Sequence, residues 1–116
     1  MKRLFQVCLF ISLMVTMGLG ALHAISLKAQ PAEAPAAEVK INNFSFGPQK
    51  LVVLRGTRVT WTNRDDIPHT VVSTEGAFKS RVLDTDEKFA YTFRKPGTYG
   101  YFCSVHPKMT GQIIVQ

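Results

Sequence analysis

Cys103-Ser104-Val105-His106-Pro107-Lys108-Met109 puts a thiol, an imidazole and a thioether within seven residues. A second imidazole, His69, follows Pro68 and opens the short run His69 to Ser73 (HTVVS). Two imidazoles, one thiolate and one thioether are the donor set of a copper site of the electron-transfer type, in which thiolate and imidazoles form a trigonal plane with a weak axial thioether. Thiolate binds Cu(II) covalently and also suits Cu(I), imidazole serves both states, and thioether favours Cu(I) and so keeps the potential high. The spacing C-x2-H-x2-M suits a loop that joins two strands and wraps three ligands around one ion, while a distant strand contributes His69.

The rest of the chain offers no competing chemistry. It contains three His, two Cys and four Met, and His23, Cys8, Met1, Met14 and Met17 all precede Gln30. Every soft or imidazole side chain after that point is therefore His69, Cys103, His106 or Met109. Singly, His69 would read as a satisfied polar residue and Cys103 as a small buried apolar one; their joint occurrence reverses that. One remaining cysteine excludes both a Cys-based zinc finger and a disulfide framework. A Cys-His nucleophile pair lacks a separate orienting group, a dinuclear copper centre needs a second loop cysteine, and a copper oxidase needs many more histidines. An enzyme is therefore not expected. Asp65-Asp66 and Asp84, Asp86 and Glu87 fall in polar loops and read as solvated turns.

These ligands must be positioned by what lies around them. Lys2 and Arg3 precede an uncharged run, Leu4 to Leu22, with small residues after it, which is the pattern of a secretory signal peptide. Residues 1–29 are assigned to it, with cleavage after Ala24 or Ala29; an uncleaved anchor facing the periplasm is the alternative. Residues 30–37, within QPAEAPAAE, lack large apolar side chains and read as a flexible linker. The formal charge of +6 is partly the leader's: Lys2, Arg3 and Lys28 leave with it, and 11 basic against 8 acidic residues remain. No basic run exceeds Arg94-Lys95, so no nucleic-acid surface is indicated.

Residues 38–116 read as all-β. Val39, Ile41, Phe44 and Phe46 suggest an opening strand ended by Gly47-Pro48, and Lys50 to Arg55 a second. Thr57 to Asn63 alternates Thr57, Val59 and Trp61 with polar residues, the period of a half-buried strand. His69 to Ser73, a weaker Phe78 to Leu83, Lys88 to Phe93, Thr98 to Cys103 and Gln112 to Val115 complete seven to eight strands. Short strands at such spacing, with no sustained helical periodicity, predict a small Greek-key β-sandwich preceded by a helical signal segment.

Val59-Thr60-Trp61-Thr62-Asn63, Pro68-His69-Thr70-Val71 and Gly97 through Gly111 together resemble the cupredoxins, the small blue copper proteins that include plastocyanin, pseudoazurin and amicyanin. The short C-x2-H-x2-M loop is similar to that of amicyanin. The resemblance implies one copper ion, with Cys103 as equatorial thiolate, His69 as buried imidazole, His106 as the imidazole whose outer edge is the electron port, and Met109 as axial ligand. It implies transient docking, at His106, Pro107 and Lys108, with a donor and an acceptor such as a dehydrogenase, reductase or cytochrome, by a monomer in the periplasm. Two departures matter. Thr70 stands where the family often has Asn, so the two ligand loops are expected to be tied by a Thr70 hydroxyl, with Ser104. Lys108 replaces a large apolar side chain, which favours an acidic partner surface. A copper storage or delivery module is the alternative function.

Overall fold

The computed structural model describes residues 20–21 and 34–116. Apart from residues 20–21, the signal segment lies outside the described residues, as does the first half of the linker, 30–33. Residues 34–116 fall in one compact unit and contain no helix.

Eight strands form two four-stranded sheets: β1 (Ala36–Asn42), β2 (Ser45–Gly47), β3 (Lys50–Val53), β4 (Thr57–Asn63), β5 (Val72–Ser73), β6 (Lys88–Phe93), β7 (Gly97–Phe102) and β8 (Thr110–Val115). The strand orders are β2-β1-β4-β6 and β3-β8-β7-β5. β1 runs parallel to β4 and β3 parallel to β8, while the other pairs are antiparallel. The first strand starts at Ala36, inside the stretch read as linker, because Ala36 and Ala37 pair with Arg58 and Val59 and the Pro35 carbonyl accepts the Arg58 N–H.

Alternation dictates the core. Val39 and Ile41 of β1 and Val59 and Trp61 of β4 turn inward from one sheet, and Val53, Tyr101, Ile113 and Val115 from the other. Trp61 sits at the centre, with ring centroids 5.4 Å from Tyr101, 5.5 Å from Phe78 and 5.7 Å from Phe89. Such an aromatic cluster supplies a large share of the apolar area that a domain of this size can bury.

Three details differ from the sequence reading. The opening segment is two strands rather than one, because Asn42 pairs with Ser45 and leaves Asn43-Phe44 as a two-residue hairpin loop with φ of 51° and 56°. Both signs match a type I′ turn, which suits the twist of a hairpin but favours Asn-Gly. Asn tolerates the left-handed region, whereas Phe there costs about 1–2 kcal/mol. The strand expected at His69–Ser73 is reduced to Val72–Ser73, and Phe78–Leu83 supplies only the bridges His69↔Leu83 and Val72↔Lys79. Pro68 has no N–H to give a ladder, and the backbone groups of His69 and Val71 bond to Leu83 and Ser80 rather than to β7.

Candidate metal centre

Three segments meet around Cys103. The first leaves β4 at Asn63, a fully buried residue whose amide organises the loop that follows: Nδ2 donates to the carbonyls of Ile67 (2.8 Å) and Leu83 (2.9 Å), and Oδ1 accepts the Asp65 N–H (2.9 Å). His69 then pairs with Leu83 in both directions, its N–H donating at 3.1 Å and its carbonyl accepting at 2.8 Å. The second segment is the loop between β7 and β8. Cys103 N–H donates to Met109 O (3.0 Å), His106 N–H to Cys103 O (3.2 Å) and Met109 N–H to His106 O (2.9 Å). Seven residues thus close on themselves, as the spacing of the ligands requires. The third is the β1–β2 hairpin tip.

The side chains converge. Cys103 Sγ lies 3.7 Å from His69 Nδ1 and 3.8 Å from His106 Nδ1, and the potential ligand atoms of the three residues all fall within 4.8 Å of one another. His69 and Cys103 are fully buried, Met109 nearly so, and His106 is half-buried. Met109 is brought to the group through its backbone bonds to Cys103 and His106. Pro107 and Lys108 are exposed beside them.

The thiol is prepared for a cation. Burial pushes it up, but the Thr70 N–H (3.4 Å to Sγ), the neighbouring His69 and His106 rings and the His106 backbone outweigh burial and bring it down to about 6. A thiolate at neutral pH is the soft, charged donor that copper prefers over a plain thiol. Thr70 does more than face the sulfur. Its hydroxyl lies 2.7 Å from Ser104 Oγ, accepts the Ser104 N–H at 2.8 Å and sits 3.8 Å from Cys103 Sγ, so one side chain bridges the two ligand-bearing loops.

Asp65, expected in a solvated turn, is instead covered. The residue is only 9% exposed. One carboxylate oxygen accepts the Asn43 N–H at 2.6 Å; the other accepts the Phe44 N–H at 3.0 Å and lies 2.8 Å from His69 Nε2. Burial raises the Asp65 carboxyl, but the two turn N–H groups and His69 outweigh it and hold the carboxyl below its ordinary value. An ionised Asp65 accepts the Nε2 proton of His69, which selects the tautomer whose Nδ1 lone pair points at Cys103. Asp66, Asp84 and Asp86 are exposed, and Asp86 pairs with Arg64 at 2.7 Å, so the solvated reading suits them. The one signal that could have found Asp65 is an acid four residues before the ligand histidine, in a loop too short to let it swing away.

Phe44, expected in a strand, lies instead in the turn between β1 and β2. It stands 53% exposed at the hairpin tip, with its ring perpendicular to both imidazoles, at centroid distances of 5.8 Å from His69 and 5.1 Å from His106.

Comparison with known proteins places the chain among copper-protein relatives. A model of the cupredoxin-like domain matches residues 12–115. Amicyanin of Paracoccus denitrificans is 36% identical over 84% of this chain and 86% of its own. Among solved structures, a purple cupredoxin from Nitrosopumilus maritimus superposes with a TM-score of 0.65 at 34% identity, over 69% of this chain and 99% of that one. A copper-containing nitrite reductase from Thermus scotoductus gives a TM-score of 0.68 at 31% identity, over 79% of this chain but 25% of the reductase.

Proposed function

This chain belongs to the cupredoxin-like family, and from that premise we propose that it is an exported, mononuclear type 1 copper protein that carries single electrons between redox partners. The observation behind this reading is the meeting of one buried, readily ionised thiol and two imidazole Nδ1 atoms within 4.8 Å. His69, Cys103, His106 and Met109 are the residues that would hold the ion. Copper held there supplies a one-electron couple between its +1 and +2 states.

The protein's own groups account for the rest. Asp65 fixes the His69 ring, and Asn63 fixes the loop that carries both. The Thr70 N–H draws charge from the Cys103 sulfur, which favours the reduced state and raises the potential. Thr70 and Ser104 tie the two ligand loops, so neither has to move when charge changes. His106 is the one half-buried member of the cluster, and its outer edge serves as the electron port, with Pro107 and Lys108 forming the docking rim. Among the described residues there is no separate group for bond-making chemistry at this site, and the chain spans only a quarter of the nitrite reductase it resembles, so a carrier fits better than an enzyme. Residues 1–29 act as the export signal to the periplasm. The partners are a donor and an acceptor such as a dehydrogenase, reductase or cytochrome, met by a monomer.

Adding Cu(II) to the purified domain tests this directly. An intense visible charge-transfer band that bleaches and returns in a reversible one-electron cycle is the expected result. A pale complex whose copper is readily lost would overturn the reading and favour storage or delivery.

Lys108 gives a second expectation. Replacing it with Gln removes one exposed cation from the rim, so electron transfer to an acidic partner should slow by roughly two- to fivefold at low ionic strength. The difference should vanish in high salt, where the Debye length falls to about 3 Å. Identical salt profiles for the two proteins, measured by stopped flow, would remove Lys108 from the docking role.

A further inference from the structure

The two imidazoles of the site are held by different means. His69 is fully buried and its Nε2 is anchored on Asp65 at 2.8 Å. His106 is half-buried, and its ring contacts among the described residues are Cys103 Sγ through Nδ1, the His69 ring at 5.1 Å and the Phe44 ring at 5.1 Å. Among the described residues, no carboxylate or carbonyl does for His106 what Asp65 does for His69. Packing must orient it, and Phe44 is the side chain in place to do so.

Phe44 is also the residue that its own turn least wants. The second position of a type I′ turn favours Gly, yet a phenylalanine stands there with φ at 56°. Burial does not repay this, since the residue is 53% exposed. Backbone strain that packing does not explain clusters where a protein uses the side chain so displayed. The strain is held by the carboxylate that also anchors His69: Asp65 accepts the N–H groups of both turn residues. One acid therefore sets the buried imidazole directly and the outer imidazole through the hairpin tip.

We propose that Phe44 is a positioning residue for His106, a wall kept in an unfavourable turn conformation so that the outer imidazole stays in the orientation that faces Cys103. The proposal rests on the copper reading for its purpose, but the positioning itself is a property of the metal-free chain.

The test compares Phe44→Gly, Phe44→Leu and Phe44→Tyr with the unmodified domain. Phe44→Gly creates an Asn-Gly hairpin turn, so the metal-free domain should melt no lower than the parent even though an aromatic ring is lost. In the same metal-free protein, NMR side-chain couplings should report rotamer averaging at His106 and an unchanged ring at His69. In the copper-loaded proteins, transfer of copper to a chelator should be roughly three- to tenfold faster for Phe44→Gly, intermediate for Phe44→Leu and near parental for Phe44→Tyr, the scale of a lost ring–ring contact. A His106 ring as ordered in Phe44→Gly as in the parent overturns the proposal, whatever copper does. A lower melting temperature with unchanged His106 order also overturns it, by making Phe44 a purely structural residue. If the unmodified domain forms no blue complex, the electron-carrier reading falls, and the NMR comparison still decides the role of Phe44.

Discussion

Replacing Asp65 with alanine is expected to weaken metal binding by about 10–100-fold, the usual cost of losing the carboxylate behind a ligand histidine. The domain should also lose stability without any metal, by about 1–3 kcal/mol, since a buried donor left without its acceptor carries that penalty. The two parts have separate origins. His69 is fully buried, so its Nε2 proton finds no water when the carboxylate goes, and the imidazole is free to take the tautomer that turns a proton rather than a lone pair toward Cys103. The Asn43 and Phe44 N–H groups lie in an exposed turn and can recruit water, so their share of the loss is the smaller one. Asp65→Asn has a single acceptor oxygen and should fall between the parent and the alanine variant. A chelator competition and a thermal melt of the metal-free protein separate the effects. A lowered melt with unchanged metal affinity would reduce Asp65 to a clamp on the hairpin.

That Asp65 escaped a reading of the sequence, while Cys103, His106 and Met109 did not, has a physical reason. The loop residues sit on one short segment whose two ends are pinned by adjacent strands, so chain distance is nearly spatial distance. His69 was found by elimination, because the chain after Gln30 has no other unassigned imidazole. Asp65 belongs to neither case. Its meaning depends on a hairpin tip some twenty residues upstream folding over it, and an acid in a polar loop looks the same with or without that cover. Phe44 failed for the opposite reason: its alternation with Phe46 imitates a strand, and only the register Asn42↔Ser45 turns it into a loop residue. The alternation of Thr57, Val59 and Trp61 had no such rival and gave β4 directly. The short Val72–Ser73 strand was overextended from HTVVS because β-branched composition does not reveal that His69 and Val71 spend their backbone bonds on Leu83 and Ser80.

Gly111→Ala is the backbone counterpart of the Asp65 change, and its cost should fall first on the fold. A β-carbon at Gly111 would lie 2.4 Å from both Cζ and Oη of Tyr101 and 2.8 Å from Cε2. The ring cannot retreat. Tyr101 is 1% exposed, held against Phe46 at 4.7 Å and Trp61 at 5.4 Å, and its phenol is buried deeply enough to be pushed up to about 12. Overpacking of this kind costs about 1–3 kcal/mol and occasionally more, which for a domain of this size lowers the melting temperature by roughly 5–20 °C. The damage also reaches the metal centre, because Tyr101 is directly paired with Gly111 in the ladder between the strands that deliver Cys103 and Met109. Forcing the two strands apart there opens the Cys103 N–H to Met109 O bond that closes the ligand loop. A double-mutant cycle with Tyr101→Leu isolates the cause, since a side chain that stops short of Gly111 leaves room for the methyl group. The cost of Gly111→Ala should shrink markedly in that background, and the coupling should appear in both the melt and the metal affinity. Strictly additive costs would mean that Gly111 serves the strand for some reason other than the ring lying across it.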